Sequence, residues 1–223
     1  MTIQEIYQIV LYATAKNASQ GYVSPDDFNL CINQGQQSYV AYLLGSFQQY
    51  MPGRPVARVE FGQNTIIRTR LAPIIYWYDL SVDPDGFSDY PGDYLQTDAM
   101  FSIYGYNRIR AVQQDSLYSY YNSVIDPIED NPIYILEDLG FRFFPEDIGE
   151  AKLSYVRNPP NMVWAYTLDG NGIPVYDSAN SVQPVWDDAS ILEIIVRALA
   201  IIGVNLQLNT VEQYSMQIKN QGQ

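Results

Sequence analysis

The sequence predicts an α+β fold: an N-terminal helical hairpin and C-terminal helices packed with a central, mainly antiparallel β region. Three observations predict it. Apolar residues recur at helical spacing as far as Leu43 and again from Ser190. Between them, β-branched and aromatic runs alternate with turns rich in Gly, Pro and Asp. With 47% hydrophobic and 17% charged residues among 223, the chain can bury a sizeable core. A single domain of three segments is expected: the hairpin over 1–53, an extended arm, acidic loop and β region over 54–186, and the terminal helices over 187–223.

Thr2 and Glu5 form a capping box that starts the first helix, with Ile3, Ile6, Tyr7, Val10 and Leu11 as its apolar stripe. Gly21 breaks the pattern. Ser24-Pro25-Asp26-Asp27 opens a second helix with a cap, a first-turn proline and two acids at the positive end of the dipole. Met51-Pro52-Gly53 stops it. Gln34, Gln36, Gln37, Gln48 and Gln49 read as a polar helix face, or as one that hydrogen-bonds a neighbouring subunit.

Two prolines and Gly62 make the start of residues 54–70 extended or looped. Ile74 to Tyr78 opens the β region, and Asp79 to Asp98, with six aspartates among Pro and Gly, reads as a long loop containing the turn Asp83-Pro84-Asp85-Gly86. Calcium would want several oxygens there, but the offsets of a helix–loop–helix calcium site are absent. Phe101 to Val112 is a strand with Arg108 and Arg110 pointing outward. Two hairpins follow, one turning at Glu137–Gly140 and one at Asp169–Gly172, with a strand from Lys152 to Val156 between them. Ser190 and Glu193 form another capping box. The helix from Ser190 has little polar face, so burial is expected, with Glu193 and Arg197 paired at i, i+4.

The net charge of −13 is uneven: residues 71–150 hold three Lys/Arg against fifteen Asp/Glu. Such a surface repels nucleic acid and lipid headgroups and favours solubility. The chain contains no histidine and one cysteine, Cys31, which reads as a small buried hydrophobe. Without histidine there is no Ser-His-Asp or Cys-His nucleophile and no ordinary zinc site. No phosphate-binding glycine loop and no cofactor motif occurs. No signal peptide is expected, and the stretch from Ile191 to Ile202 is too short and too charged for a bilayer.

Two groups of residues suggest interfaces. Arg54, Arg58, Arg68 and Arg70 stand against Glu60 alone and suit docking on an acidic partner surface, since a guanidinium pairs bidentately with carboxylate; scattered surface arginines are the bland alternative. Tyr118, Tyr120 and Tyr121 cluster, and tyrosine is enriched at interfaces, although ordinary packing accounts for them equally.

Seven segments carry a resemblance to a family. They are Tyr50–Pro55, Tyr104–Arg110, Phe141–Pro145, Leu153–Pro159, Val163–Tyr166, Gly172–Asp177 and Gly203–Leu206. Their order and spacing resemble a structural protein of crAss-like phages and related tailed phages of Bacteroidetes, over essentially the whole chain. The resemblance implies a virion protein, made in the host bacterial cytoplasm, that assembles as a homo-oligomeric ring in the connector or tail barrel below the portal. Its partners would be the portal protein, other tail or ring proteins, and genomic DNA passing through without sequence recognition; no membrane, no cofactor and no catalytic residue is implied. Two other classes compete. One is a head fibre or tail protein that binds host surface glycan on exposed aromatics. The other is a glycan hydrolase using two carboxylates from Asp79–Asp98, with Trp77 nearby.

Overall fold

The structure, a computed structural model, describes residues 1–15, 23–45, 65–103, 107–120 and 126–203. In chain order the elements are α1 (Ile3–Ala15), α2 (Pro25–Leu43), α3 (Thr65–Leu71), β1 (Ile75–Ser81), β2 (Phe87–Asp89), β3 (Tyr94–Ser102), β4 (Arg110–Ala111), α4 (Leu117–Tyr120), β5 (Ile133–Leu136), β6 (Gly140–Phe144), β7 (Glu150–Arg157), β8 (Tyr166–Leu168), β9 (Pro174–Tyr176) and α5 (Asp188–Gly203). The chain is α+β, as its patterning predicts. Packing gathers it into two compact units: a helical unit of residues 1–70 and 160–223, and a β unit of residues 71–159. The segment boundaries at 53 and 187 both fall within the helical unit, which draws on the two ends of the chain.

In the helical unit the expected caps of the first two helices form. Glu5 N–H donates to Thr2 Oγ1 at 3.3 Å and Thr2 N–H to Glu5 Oε2 at 2.8 Å. Asp27 N–H donates to Ser24 Oγ at 3.1 Å. α2 ends at Leu43, before a left-handed Gly45 (φ 78°), and not at Met51-Pro52-Gly53, which lies outside the described residues. Cys31 is half-buried, and that partial burial raises its thiol pKa.

α2 packs along α5. A Cβ on Gly35 would stand 2.9 Å from the Ile194 carbonyl oxygen and 3.0 Å from the Ala198 nitrogen, so glycine permits this approach. The Ser190–Glu193 capping box does not form. α5 begins two residues earlier, at Asp188, and the Ser190 hydroxyl faces α2, where it accepts from Tyr39 Oη at 2.9 Å. Arg197 does not reach Glu193 either: it donates to Ser38 Oγ at 3.2 Å and lies 4.8 Å over the Tyr42 ring.

The expected glutamine face is corrected at Gln36, which is fully buried. Its Oε1 accepts from Trp186 Nε1 at 3.0 Å and its Nε2 donates to the Pro160 carbonyl at 3.1 Å. Asn33 and Asn29, one and two helical turns earlier, each make a paired bond to the same segment. Asn33 exchanges bonds with Met162 N–H and C=O, both 2.8 Å, and Asn29 with Trp164 N–H and C=O, at 2.8 and 3.2 Å. The amides at i, i+4 and i+7 act on Pro160–Trp164 as a neighbouring strand would, satisfying backbone groups that burial would otherwise leave unpaired. Trp164 then stacks on Tyr7 at 4.2 Å and on Tyr176 of the hairpin β8–β9 at 5.7 Å. That hairpin turns where expected: Asp169 Oδ1 accepts from Asn171 and Ile173 N–H, and Gly172 takes φ 77°.

The β unit holds a three-stranded antiparallel sheet in the order β1-β7-β3 and a four-stranded sheet in the order β2-β6-β5-β4, in which only β4 and β5 run parallel. Arg108 bridges to Phe101 of β3, and two residues later β4 pairs with β5, so one short segment stitches the sheets together. Leu80, Met100, Ile109, Phe141, Phe143 and Leu153 fill the space between them. On the far side of the β5–β6 hairpin, Ile133, Ile135 and Phe144 meet Leu117 and Tyr120 of α4.

The expected acidic loop is largely strand: β1 runs to Ser81, β2 occupies Phe87–Asp89 and β3 starts at Tyr94. Only the turn Asp83–Gly86 survives as read, closed by Gly86 N–H to Asp83 C=O at 2.8 Å with Gly86 at φ 74°. Cross-strand pairing with β6 and β7 overrides the local turn propensity. Asp93 accepts from Tyr155 Oη at 2.7 Å; burial, and then that bond, push the Tyr155 pKa up to about 12.

Candidate functional site

Two surfaces of the described residues expose side chains that folding alone would hide. The first is the outer face of α5. Its inner face buries Ile191, Ile194, Ile195 and Ala198. Leu192 and Val196, one turn apart on the opposite side, are 53% and 56% exposed, with Ala200 continuing the exposed row. The helix was expected to be buried all round; it is buried on one side and carries a second apolar face in solvent.

The second surface is the outer face of the sheet β1-β7-β3. Along β1 Leu80 is buried, Trp77, Asp79 and Ser81 share the opposite, outward face, and Tyr76 and Tyr78 remain exposed. Register places Trp77 beside Ser154 of β7, which pairs with Ala99 of β3. Both neighbours are small, so the indole lies across β7 to within 6.1 Å of the Phe101 ring. Trp77 is 57% exposed. In the next row Asp79 pairs with Lys152, whose Nζ is 3.8 Å from the carboxylate and 5.9 Å over the indole. Glu150, Ser102 and Ile103 complete an open groove of about 960 Å³. Tyr76, on the other side of β1, is covered by the Arg157 guanidinium at 3.9 Å.

The residues singled out by sequence are dispersed. Arg54, Arg58 and Tyr121 lie outside the described residues. Arg68 and Arg70 lie on α3, so residues 65–70 are helical and not extended; Arg68 is exposed and Arg70 half-buried. Tyr118 is 84% exposed, whereas Tyr120 packs against the β5–β6 hairpin. The aspartates of 79–98 do not converge. Asp79 meets Lys152, Asp93 meets Tyr155, and Asp98 accepts from Ser154 Oγ at 2.9 Å. Among the described residues no three carboxylates or thiols stand together as a metal site.

Trp77 was legible as a surface aromatic; Phe101, Lys152, Leu192 and Val196 were not. No local signal joins Trp77 to Phe101, because the neighbourhood is made by register. Among the described residues no helix is long and apolar enough to cross a membrane. Compared with known proteins, the chain matches no family model and no curated sequence.

Proposed function

We propose that the chain is a structural virion protein, not an enzyme, that forms a ring in the head-to-tail connector or tail barrel of a tailed phage, below the portal. The order of its motifs supports this reading, and one structural observation carries it: α5 keeps a second aliphatic face in solvent. An uninterrupted Leu–Val–Ala row on a helix is the chemistry of a protein–protein contact.

A ring closes when each subunit offers two unlike patches that meet head to tail. The outer face of α5 is one. The β unit is its opposite in character, with five Lys/Arg against fifteen Asp/Glu where the helical unit has seven against ten. The arginines of residues 54–70 would dock on the acidic β unit of a neighbouring subunit. An acidic or neutral duct wall would also let DNA pass, since a basic one would hold its phosphates.

Quantitative mass spectrometry of purified virions tests the reading through the copy number of this protein relative to the portal. A ratio near one, or a small whole multiple, agrees with a stacked ring. A far higher ratio would indicate head decoration or fibres, and absence from the virion would remove the structural role.

A further inference from the structure

The groove on the outer face of β1-β7-β3 has a different character from α5. Its largest apolar groups are two aromatic rings, Trp77 and Phe101, with Leu80 and Ile103 as the aliphatic part of the lining. Charge interrupts them: Asp79, Lys152 and Glu150 stand in the same groove. The core of a protein–protein interface is depleted of charge, which counts against a flat protein partner here. A pyranose wants the opposite mixture: a ring face to cover its C–H groups, with carboxylate, ammonium and hydroxyl groups at the rim for its hydroxyls.

The dimensions agree. Trp77 to Ser81 spans roughly 13 Å at about 3.3 Å per residue, and β1 to β3 roughly 10 Å at about 4.8 Å per strand. That footprint suits a short oligosaccharide, and the volume of about 960 Å³ falls within the range of small-molecule sites. The indole has the Phe101 ring at 6.1 Å and the Lys152 ammonium at 5.9 Å as neighbours and is still 57% exposed, which leaves ring surface open to a ligand. Charge selects among glycans: the β unit, with ten more acids than bases, repels uronic-acid chains.

We propose that this face is a glycan-binding site for neutral or amino-bearing pyranose oligosaccharides, with Trp77 as its stacking platform, Phe101 beside it, and Asp79, Lys152 and Glu150 as hydroxyl partners. It is independent of the ring reading, which rests on α5.

The chain has three tryptophans, and Trp164 and Trp186 are buried, so three indole N–H signals in a nitrogen–proton NMR spectrum of the full chain separate the platform from the core. The protein is titrated with maltotriose, mannotriose, a β-1,4-linked N-acetylglucosamine trisaccharide and trigalacturonic acid. At least one of the first three moves the Trp77 signal saturably and leaves the two buried signals in place. Trp77→Ala, a surface change on a sheet that β7 still organises, weakens that binding by at least about tenfold, the equivalent of losing one buried aromatic face. Tyr118→Ala, at an exposed tyrosine outside the groove, leaves it unchanged.

Stacking on a pyranose face is tolerant of sugar identity, so silence from all three trisaccharides at tens of millimolar overturns the proposal. Stronger binding of the uronic acid overturns it as well. If the Trp77 signal shifts on raising protein concentration without sugar, the face is a protein contact and the proposal fails.

Discussion

The two units invert each other. The helical unit puts amides inside, Gln36 buried and Asn29 and Asn33 locked onto Pro160–Trp164, and leaves Leu192, Val196 and Leu30 in water. The β unit fills its interior with Phe141, Phe143 and Tyr134 and is rich in acids, with Trp77 among its exposed rings. The difference shows how to read an exposed apolar group. On α5 the exposed row is aliphatic, continuous and backed by a helix whose inner face is already satisfied, which suits another protein surface. On β1 the exposed ring stands among fixed charges, which suits a small polar ligand.

The contrast can be broken at its strongest points. In the β unit, a Cβ on Gly140 would lie 2.2 Å from the Ser88 carbonyl oxygen in the β2–β6 pair. Gly140→Ala should therefore lower stability by about 3 kcal/mol, the upper range for overpacking, read as a fall in the midpoint of chemical denaturation. In the helical unit, Gln36→Leu keeps the volume but strands Trp186 Nε1–H and the Pro160 carbonyl. It should cost about 1–3 kcal/mol in the same measurement, because each stranded group keeps its desolvation penalty. A neutral result would mean that water or a neighbour replaces the amide.

Tyr155 sharpens the contrast by pH. Its folded pKa is raised from the usual 10 to about 12 by burial and by the bond to Asp93. The unfolded chain releases this proton first, so the associated stability is whole below pH 10 and is lost as pH rises toward 12. Tyr155→Phe should flatten that part of a denaturation-versus-pH curve, and an unchanged slope would assign the loss to other tyrosines.

The smallest effect on folding belongs to α5. Leu192→Glu with Val196→Glu changes exposed positions and should leave subunit stability within about 0.5 kcal/mol of the parent. If the proposed ring forms, its assembly should nevertheless be lost, which sedimentation of the variant with purified portal and connector proteins would detect. Destabilisation of the isolated subunit would instead show that this row packs within the chain.

Much of the architecture was legible locally. Thr2 with Glu5, Ser24 with Pro25, Asp83 to Gly86 and Asp169 to Gly172 each form as their residue types dictate, because a cap or a tight turn is decided within about four residues. The same local rule fails at Ser190, whose side chain has a competitor from α2, and over 79–98, where pairing with β6 and β7 draws a turn-rich segment into strands.

The patterning along the chain by itself settled the α+β class, and composition set the expectation of an acidic middle and excluded histidine chemistry. Tertiary structure decided which amides go inside, which face of α5 stays wet, and that Trp77 finds Phe101 across Ser154 and Ala99. Those outcomes depend on register and helix–helix approach between residues far apart in sequence. No periodicity along a single segment encodes them.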